Sequence, residues 1–320
     1  MQPLYTSANN SSRPPTLGGL IMLVGFILLG GVFSTFLLFG LLMIVKGMGP
    51  AAAQAYLAEL ASNPASAPTG WYELMALQAV NHLGTFLIPS LVYWYTIERR
   101  TWDQFSVRPV SAVAGLSLVV LIVIAFMPFD GLIIEWNQGV HLPSTLAPLE
   151  EWIRDKEKEL EGVTKYLTTF SSAGQLLIAM LVIAVIPAIG EETLFRGILQ
   201  RNLTYWSNNV HVGIWVAAAL FSAIHVQFLG FFPRMLLGAL FGYLYVWSGS
   251  LWVPILAHLV NNGFTVLMVY LYQQKVVTMD IESTEAVPLL GSLVSGAITA
   301  GLLYYFKLTN QNQVTREPER

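Results

Sequence analysis

Apolar and polar positions in this chain are sorted into long blocks rather than short alternating periods. A helix needs about 20 apolar residues to cross the core of a bilayer. Eight segments fit that pattern: Leu17–Val45, Trp71–Thr96, Ser111–Phe129, Gly174–Ile189, Val210–Val226, Phe232–Trp247, Leu251–Tyr272 and Val287–Phe306. The third is read as continuing in an interfacial piece through Ile134, and the fourth as running on, still helical, into GEETLFRGILQRNL. The sixth is short, which suits a tilted or broken helix. The pattern predicts an all-α fold, a polytopic transmembrane helix bundle of about eight spans with its core in the spans from 174 to 272. No period of about 20–50 residues repeats. Residues 17–306 form a single transmembrane domain between a flexible N-terminal tail, 1–16, and a flexible C-terminal tail, 307–320. The apolar stretch after the first tail is too long for a signal-peptide core and reads as an uncleaved first helix. Within the domain, EEWIRDKEKELEGVTKY spaces acids and bases as a helix does and predicts a solvated or surface-lying helix.

Composition narrows the class. Charged residues are 11% of the 320 and hydrophobic ones 55%, against about 25% and about 45–50% in soluble domains. Sixteen basic residues against nineteen acidic ones give no field for nucleic acid. The absence of cysteine excludes disulfides, thiolate metal sites, a cysteine nucleophile and cysteine-linked lipid anchors. Eight spans put both termini on one side, which holds nine Lys/Arg: Arg13, Arg99, Arg100, Arg108, Arg196, Arg201, Lys307, Arg316 and Arg320. Seven lie on the other side, so the positive-inside tendency makes the termini cytoplasmic.

Ionisable groups in or beside the spans are costly and mark candidate function. They are Glu73, His82, Asp130, Glu191, Glu192, Arg196, His225, Arg234 and His258. On a helix Glu192 and Arg196 share a face, acid before base, the favourable order for an ion pair. Glu191 lies about 100° further round. A paired Glu192 stays ionised, whereas Glu191 in an apolar cavity suits a general base. The plainer alternative is a helix end whose charges meet only water and headgroups. His225 follows Phe221 by four positions near the end of its span, where a lone histidine is more often an interior hydrogen-bonding group than a catalyst. His258 lies deeper, with Asn262 four positions on and Asn261 beside it. Turning these groups to lipid costs several kcal/mol, so they face the bundle interior. Spacing allows two histidines and an acid from three spans to converge, without requiring it. The remaining features take simpler readings. His82 makes an interhelical hydrogen bond. Glu73, Asp130 and Arg234 snorkel or cap. Gly238 and Gly242 form a close-packing face, and Trp71 and Trp252 anchor at the interface.

Rival intramembrane chemistries lack their residues. Leu259 and Val260 follow His258, and Val226 and Gln227 follow His225, so no His-Glu-x-x-His helix exists. Val246 stands where a Gly-x-Ser-Gly motif at Ser248 would need glycine, Asp130 has no aspartate partner near a span, and no Glu-x-x-His di-iron pair is present. Glutamate, histidine and asparagine remain.

Glu191-Glu192-x-x-x-Arg196, Phe221-x-x-x-His225 and His258-x-x-x-Asn262, in that order on successive helices, resemble the three motifs of the CPBP group. These are the CAAX-processing and bacteriocin-processing intramembrane proteases, also called the Abi family. The flanks LFRGIL and SGSLWVPILAHLVNN agree, and the resemblance covers about Ile183 to Gly263. It implies an intramembrane endopeptidase in which Glu191 and His225 activate the attacking water, and His258 and Asn262 hold the oxyanion. Glu192 and Arg196 would position Glu191. The family has been described both as metalloproteases and as glutamate proteases. No cofactor is therefore certain, and a divalent metal such as zinc stays open beside glutamate-activated water. The implied partners are a peptide or lipid-anchored protein substrate and the lipid bilayer, in a bacterial cell membrane. The alternatives are a non-proteolytic scaffold or immunity protein of the same fold, and a proton-coupled transporter using Glu191, His225 and His258 as a relay. The transporter lacks the internal repeat such carriers often show.

Overall fold

The computed structural model describes residues 16–63, 67, 69–101, 104, 112–278 and 288–314. Residues 1–15, 105–111 and 315–320, and with them Arg13, Arg108, Arg316 and Arg320, lie outside the described residues. The elements are α1 (Leu17–Lys46), α2 (Pro50–Ser62), α3 (Gly70–Ile97), α4 (Ala112–Gln138), α5 (Ala147–Leu167), α6 (Ala173–Ser207), α7 (Val210–Ala223), α8 (Phe231–Ser248), α9 (Trp252–Gln273) and α10 (Leu289–Val314). Seven of them are long and apolar enough to cross a membrane, and α7 is a shorter apolar helix of 14 residues. The chain is an integral, multi-pass, all-α membrane protein.

Most expected boundaries hold, and the exceptions have local causes. The stretch expected to cross at 210–226 is helical only to Ala223; there the chain turns, and Val226 takes a left-handed φ of 53°. The third span continues past Phe129, as read, and runs unbroken to Gln138 with Pro128 inside it. The last helix continues to Val314, into the segment read as a tail. The charged stretch is α5, as expected. At its start Glu150 meets His141 at 2.8 Å, the Leu142 N–H at 2.8 Å and Arg154 at 2.9 Å. These partners hold its carboxyl well below the usual range, at about 2.

Trp71 is not an interfacial anchor. It is buried, and its Nε1–H donates to the Leu167 carbonyl at 3.0 Å, tying α3 to the end of α5. Trp252 is exposed, as an anchor would be. Glu73 accepts from Thr69 at the start of α3 and pairs with Lys46 of α1 at 2.8 Å.

Two helices depart from α geometry at matching places. In α3 and α6 the turns widen to i→i+5 over Leu83–Leu87 and Met180–Val185, and a proline follows each stretch, Pro89 and Pro187. Proline has no N–H, and its ring presses on the carbonyl four residues back; a looser turn relieves that pressure.

Beside the first widened turn, α1 and α3 approach so closely that only small residues fit. A Cβ on Gly30 would lie 2.0 Å from the Gly84 carbonyl oxygen, and one on Gly84 would lie 1.7 Å from Ser34 Oγ. Gly30→Ala must therefore push the helices apart. We expect a loss of about 1–3 kcal/mol in denaturant titrations in mixed micelles. A variant as stable as the wild type would show that this contact contributes nothing.

Candidate active site

Glu191, Glu192 and Arg196 lie on α6, in and beside a second widened stretch, Thr193–Gln200. Arg196 is 1% exposed and Glu192 fully buried, and they meet through Nη1 and Oε1 at 2.6 Å. A charge removed from water needs a partner and hydrogen bonds for its remaining protons. Arg196 also donates through Nη2 to the Gly238 carbonyl at 2.8 Å, and its guanidinium lies over the rings of Phe221 (4.9 Å) and Phe241 (5.4 Å). One turn on, Gln200 repeats the contact by donating to the Gly242 carbonyl at 3.1 Å. A Cβ at Gly242 would sit 2.7 Å from Gln200 Oε1 and 2.9 Å from Ile214. Gly238 and Gly242 are thus the close-packing face expected, and their carbonyls serve as acceptors for α6.

His258 on α9 joins the pair from the other side. Its Nδ1 meets Glu192 Oε1 at 2.8 Å, and its ring stacks on Phe241 at 5.5 Å. Its Nε2 lies 3.2 Å from Asn262 Nδ2, which also donates to the Ile183 carbonyl at 3.0 Å. Ile183 stands four residues before Pro187, so its carbonyl has no α-helical N–H to accept from. Asn262 thus meets no α-helical competitor there, while Asn261 donates to Asn262 Oδ1 at 3.2 Å.

Glu191 is 6% exposed and does not share the Glu192 pair. Its Oε2 lies 3.9 Å from His258 Nε2, beyond direct hydrogen-bonding distance. Its Oε1 lies 3.2 Å from Nε2 of His82, on α3. The two helices are brought together at the preceding residue, where a Cβ on Gly190 would touch Phe86 and Leu87 at 3.3–3.4 Å. His82, expected to make an ordinary interhelical contact, therefore faces the carboxylate at the centre of the site. Its signal in the sequence was the cost of an imidazole in an apolar span.

His225 stands apart. It follows α7 in the turn and points Nδ1 at the Phe221 carbonyl at 2.8 Å. A carbonyl can only accept, which puts the proton on Nδ1 and leaves Nε2 bare. His225 makes no hydrogen bond or ion pair with Glu191; the ring of Phe221 packs against both His225 and His258, with centroids 5.2 and 6.1 Å away. Five of the six residues singled out from the sequence thus share one network, and the sixth borders it across an aromatic ring.

The loop after His225 is held at several points. Asn137 of α4 donates to the Phe228 carbonyl at 3.3 Å and accepts from the Phe232 N–H at 3.0 Å, while Glu157 of α5 accepts from the Leu229 N–H at 2.9 Å. Arg234, expected to snorkel or cap, donates to the Gln227 carbonyl at 3.2 Å and to its side chain. Asn137→Ala is expected to raise amide exchange at Phe228–Phe232 about tenfold. Unchanged exchange there would remove Asn137 from the loop's support.

A second buried charge cluster joins the ends of α3 and α6. Glu98, 2% exposed, lies 2.7 Å from Arg100 Nε and 3.7 Å from Arg201 Nη2. Asn202, with its amide nitrogen turned inward, donates to Glu98 Oε1 at 3.1 Å. Burial pushes the Glu98 carboxyl above its ordinary value, against the pull of Arg201. Arg100 and Arg201, counted from the sequence only among the basic residues on the side of the termini, are thus internal partners.

Among the described residues, no three His, Asp or Glu side chains are disposed to hold one metal ion. Both ring nitrogens of His258 and Nδ1 of His225 are already engaged. This arrangement does not fit a protein-held zinc ion, which takes at least three protein ligands.

The comparisons bear on the same helices. Residues 173–264 match the family described as type II CAAX prenyl endopeptidase, Rce1-like. The segment that holds the Glu–Arg–His network is thus the part of the chain that is similar to this family. This Rce1-like segment contains α6 to most of α9, and α3 with His82 lies outside it. Over 168 residues the chain is 28% identical to the uncharacterised protein YpbD of Bacillus subtilis (strain 168), covering 51% of this chain and 70% of the relative. Over 133 residues it is 30% identical to YdiL of the same organism, a candidate membrane peptidase by its name, covering 42% of this chain and 51% of YdiL. No solved structure matches.

Proposed function

We propose that the protein is an intramembrane endopeptidase that hydrolyses a peptide bond at or within the membrane, using water activated by Glu191. The observation that carries this is the position of Glu191. It is a buried carboxylate outside the Glu192–Arg196 ion pair, with one oxygen facing a histidine nitrogen at 3.9 Å, inside an Rce1-like segment. A water in hydrogen-bonding reach of both groups fits that separation. Glu191 takes one of its protons as the oxygen attacks the scissile carbonyl carbon. The charge that develops on the carbonyl oxygen is met by the Asn262 N–H that points at His258 Nε2, released to the substrate while its other N–H stays on Ile183; His258, held by Glu192, completes the oxyanion side of the site. Collapse of the intermediate breaks the C–N bond, and the leaving amine takes the proton from Glu191. The bare Nε2 of His225 offers a second place for a proton near the site. The substrate class is a peptide or a lipid-anchored protein, and the termini are assigned to the cytoplasm of a bacterial cell.

The test compares protein termini in cells carrying the wild type or Glu191→Ala. Termini from membrane or lipid-anchored proteins should appear with the wild type and vanish with the variant. Identical sets of termini, or full rescue of a gene-loss phenotype by Glu191→Ala, would favour a scaffold instead.

A further inference from the structure

Glu191 lies between two imidazoles, only one of which belongs to the motifs. His258 approaches Oε2 from α9, and His82 approaches Oε1 from α3 at 3.2 Å. His82 Nε2 is buried and makes no regular hydrogen bond, and the Glu191 carboxylate lies within reach of it. Its ring is fixed by Phe86, whose centroid is 4.6 Å away. The backbone beside it is fixed by the close contacts of Gly84 with Ser34 and of Gly190 with Phe86 and Leu87. An imidazole held this firmly against one carboxylate oxygen assigns the two oxygens different tasks. The oxygen that accepts a hydrogen bond is less available as a base, and the other keeps its lone pairs for water.

We propose that His82 is a positioning residue for the cleavage reaction: its Nε2–H donates to Glu191 Oε1 and so directs Oε2 at the attacking water. The inference rests on Glu191 being the base. It extends the working site beyond residues 173–264, into a helix whose place is set by α1. His82 stays neutral throughout, and the proton from water passes to Oε2 and on to the leaving amine.

The test uses the full chain in detergent and an internally quenched peptide spanning a bond whose cleavage is lost with Glu191→Ala. His82→Phe keeps a ring of similar size and removes the donor, and His82→Gln restores an N–H at similar reach. His82→Phe should lower kcat about 10- to 100-fold, the worth of a hydrogen bond to a charged group, and leave KM within about twofold. His82→Gln should recover most of the rate. A second arm needs neither a substrate nor a His82 variant: the ¹⁵N signal of His82 Nε2 should move when Glu191 is replaced by Gln. Three results would each overturn the proposal: a wild-type rate in His82→Phe, equal loss in the Phe and Gln variants, or a His82 signal unmoved by Glu191→Gln. Wild-type cleavage by Glu191→Gln would instead bring down the reading of Glu191 itself, and this inference with it.

Discussion

Purified Glu191→Gln is expected to cleave at least about 100-fold more slowly than the wild type, the lower end of what a positioned general base supplies. The substitution preserves shape and the contact with His82, since an amide oxygen still accepts a hydrogen bond. What it removes is the ability to take a proton from water. The rate loss should therefore fall on kcat, with KM and stability close to wild type. Equal rates of cleavage by the two proteins would overturn the mechanism.

Glu192→Ala is expected to act on the fold as well as on the chemistry. It strands the Arg196 guanidinium, which is 1% exposed, with a carbonyl and two aromatic rings as its remaining partners. Breaking a buried ion pair from one side costs about 3–5 kcal/mol. It also takes away the acceptor of His258 Nδ1, so the ring loses the contact that orients it. Denaturant titration in mixed micelles should register the first effect and peptide cleavage the second. Replacing both partners by leucine removes the stranded charge and should recover most of the stability. That double variant should still fail to cleave, because His258 has no carboxylate to hold it. A stable, active Glu192→Ala protein would show that the pair serves neither role.

Much of this site was legible because helices make neighbours of residues four apart. Glu192 with Arg196 and His258 with Asn262 follow from spacing alone, and both contacts are present at 2.6 and 3.2 Å. Contacts between helices carry no such periodicity. His82 looked like any polar group in an apolar span until α3 met α6 at Gly190. Arg100 and Arg201 entered only the count of basic residues on one side, because their shared partner, Glu98, comes from packing at the ends of two helices. Trp71 has the composition of an interfacial anchor whether its ring meets lipid or, as here, the end of α5. Hydropathy likewise counted 210–226 as a span, since the turn after Ala223 is made by residues as apolar as the helix before it.

Most contacts between α6 and α9 are apolar, and apolar contacts in a membrane permit helices to slide, because lipid competes with them on nearly equal terms. The bond from Asn262 to Ile183 does not permit it, and no α-helical N–H competes for that carbonyl, because residue 187 is proline. That hydrogen bond therefore works as a register pin. It locks the axial offset of two neighbouring helices through an amide that also touches His258, so the pair cannot shift by a turn without first taking the site apart.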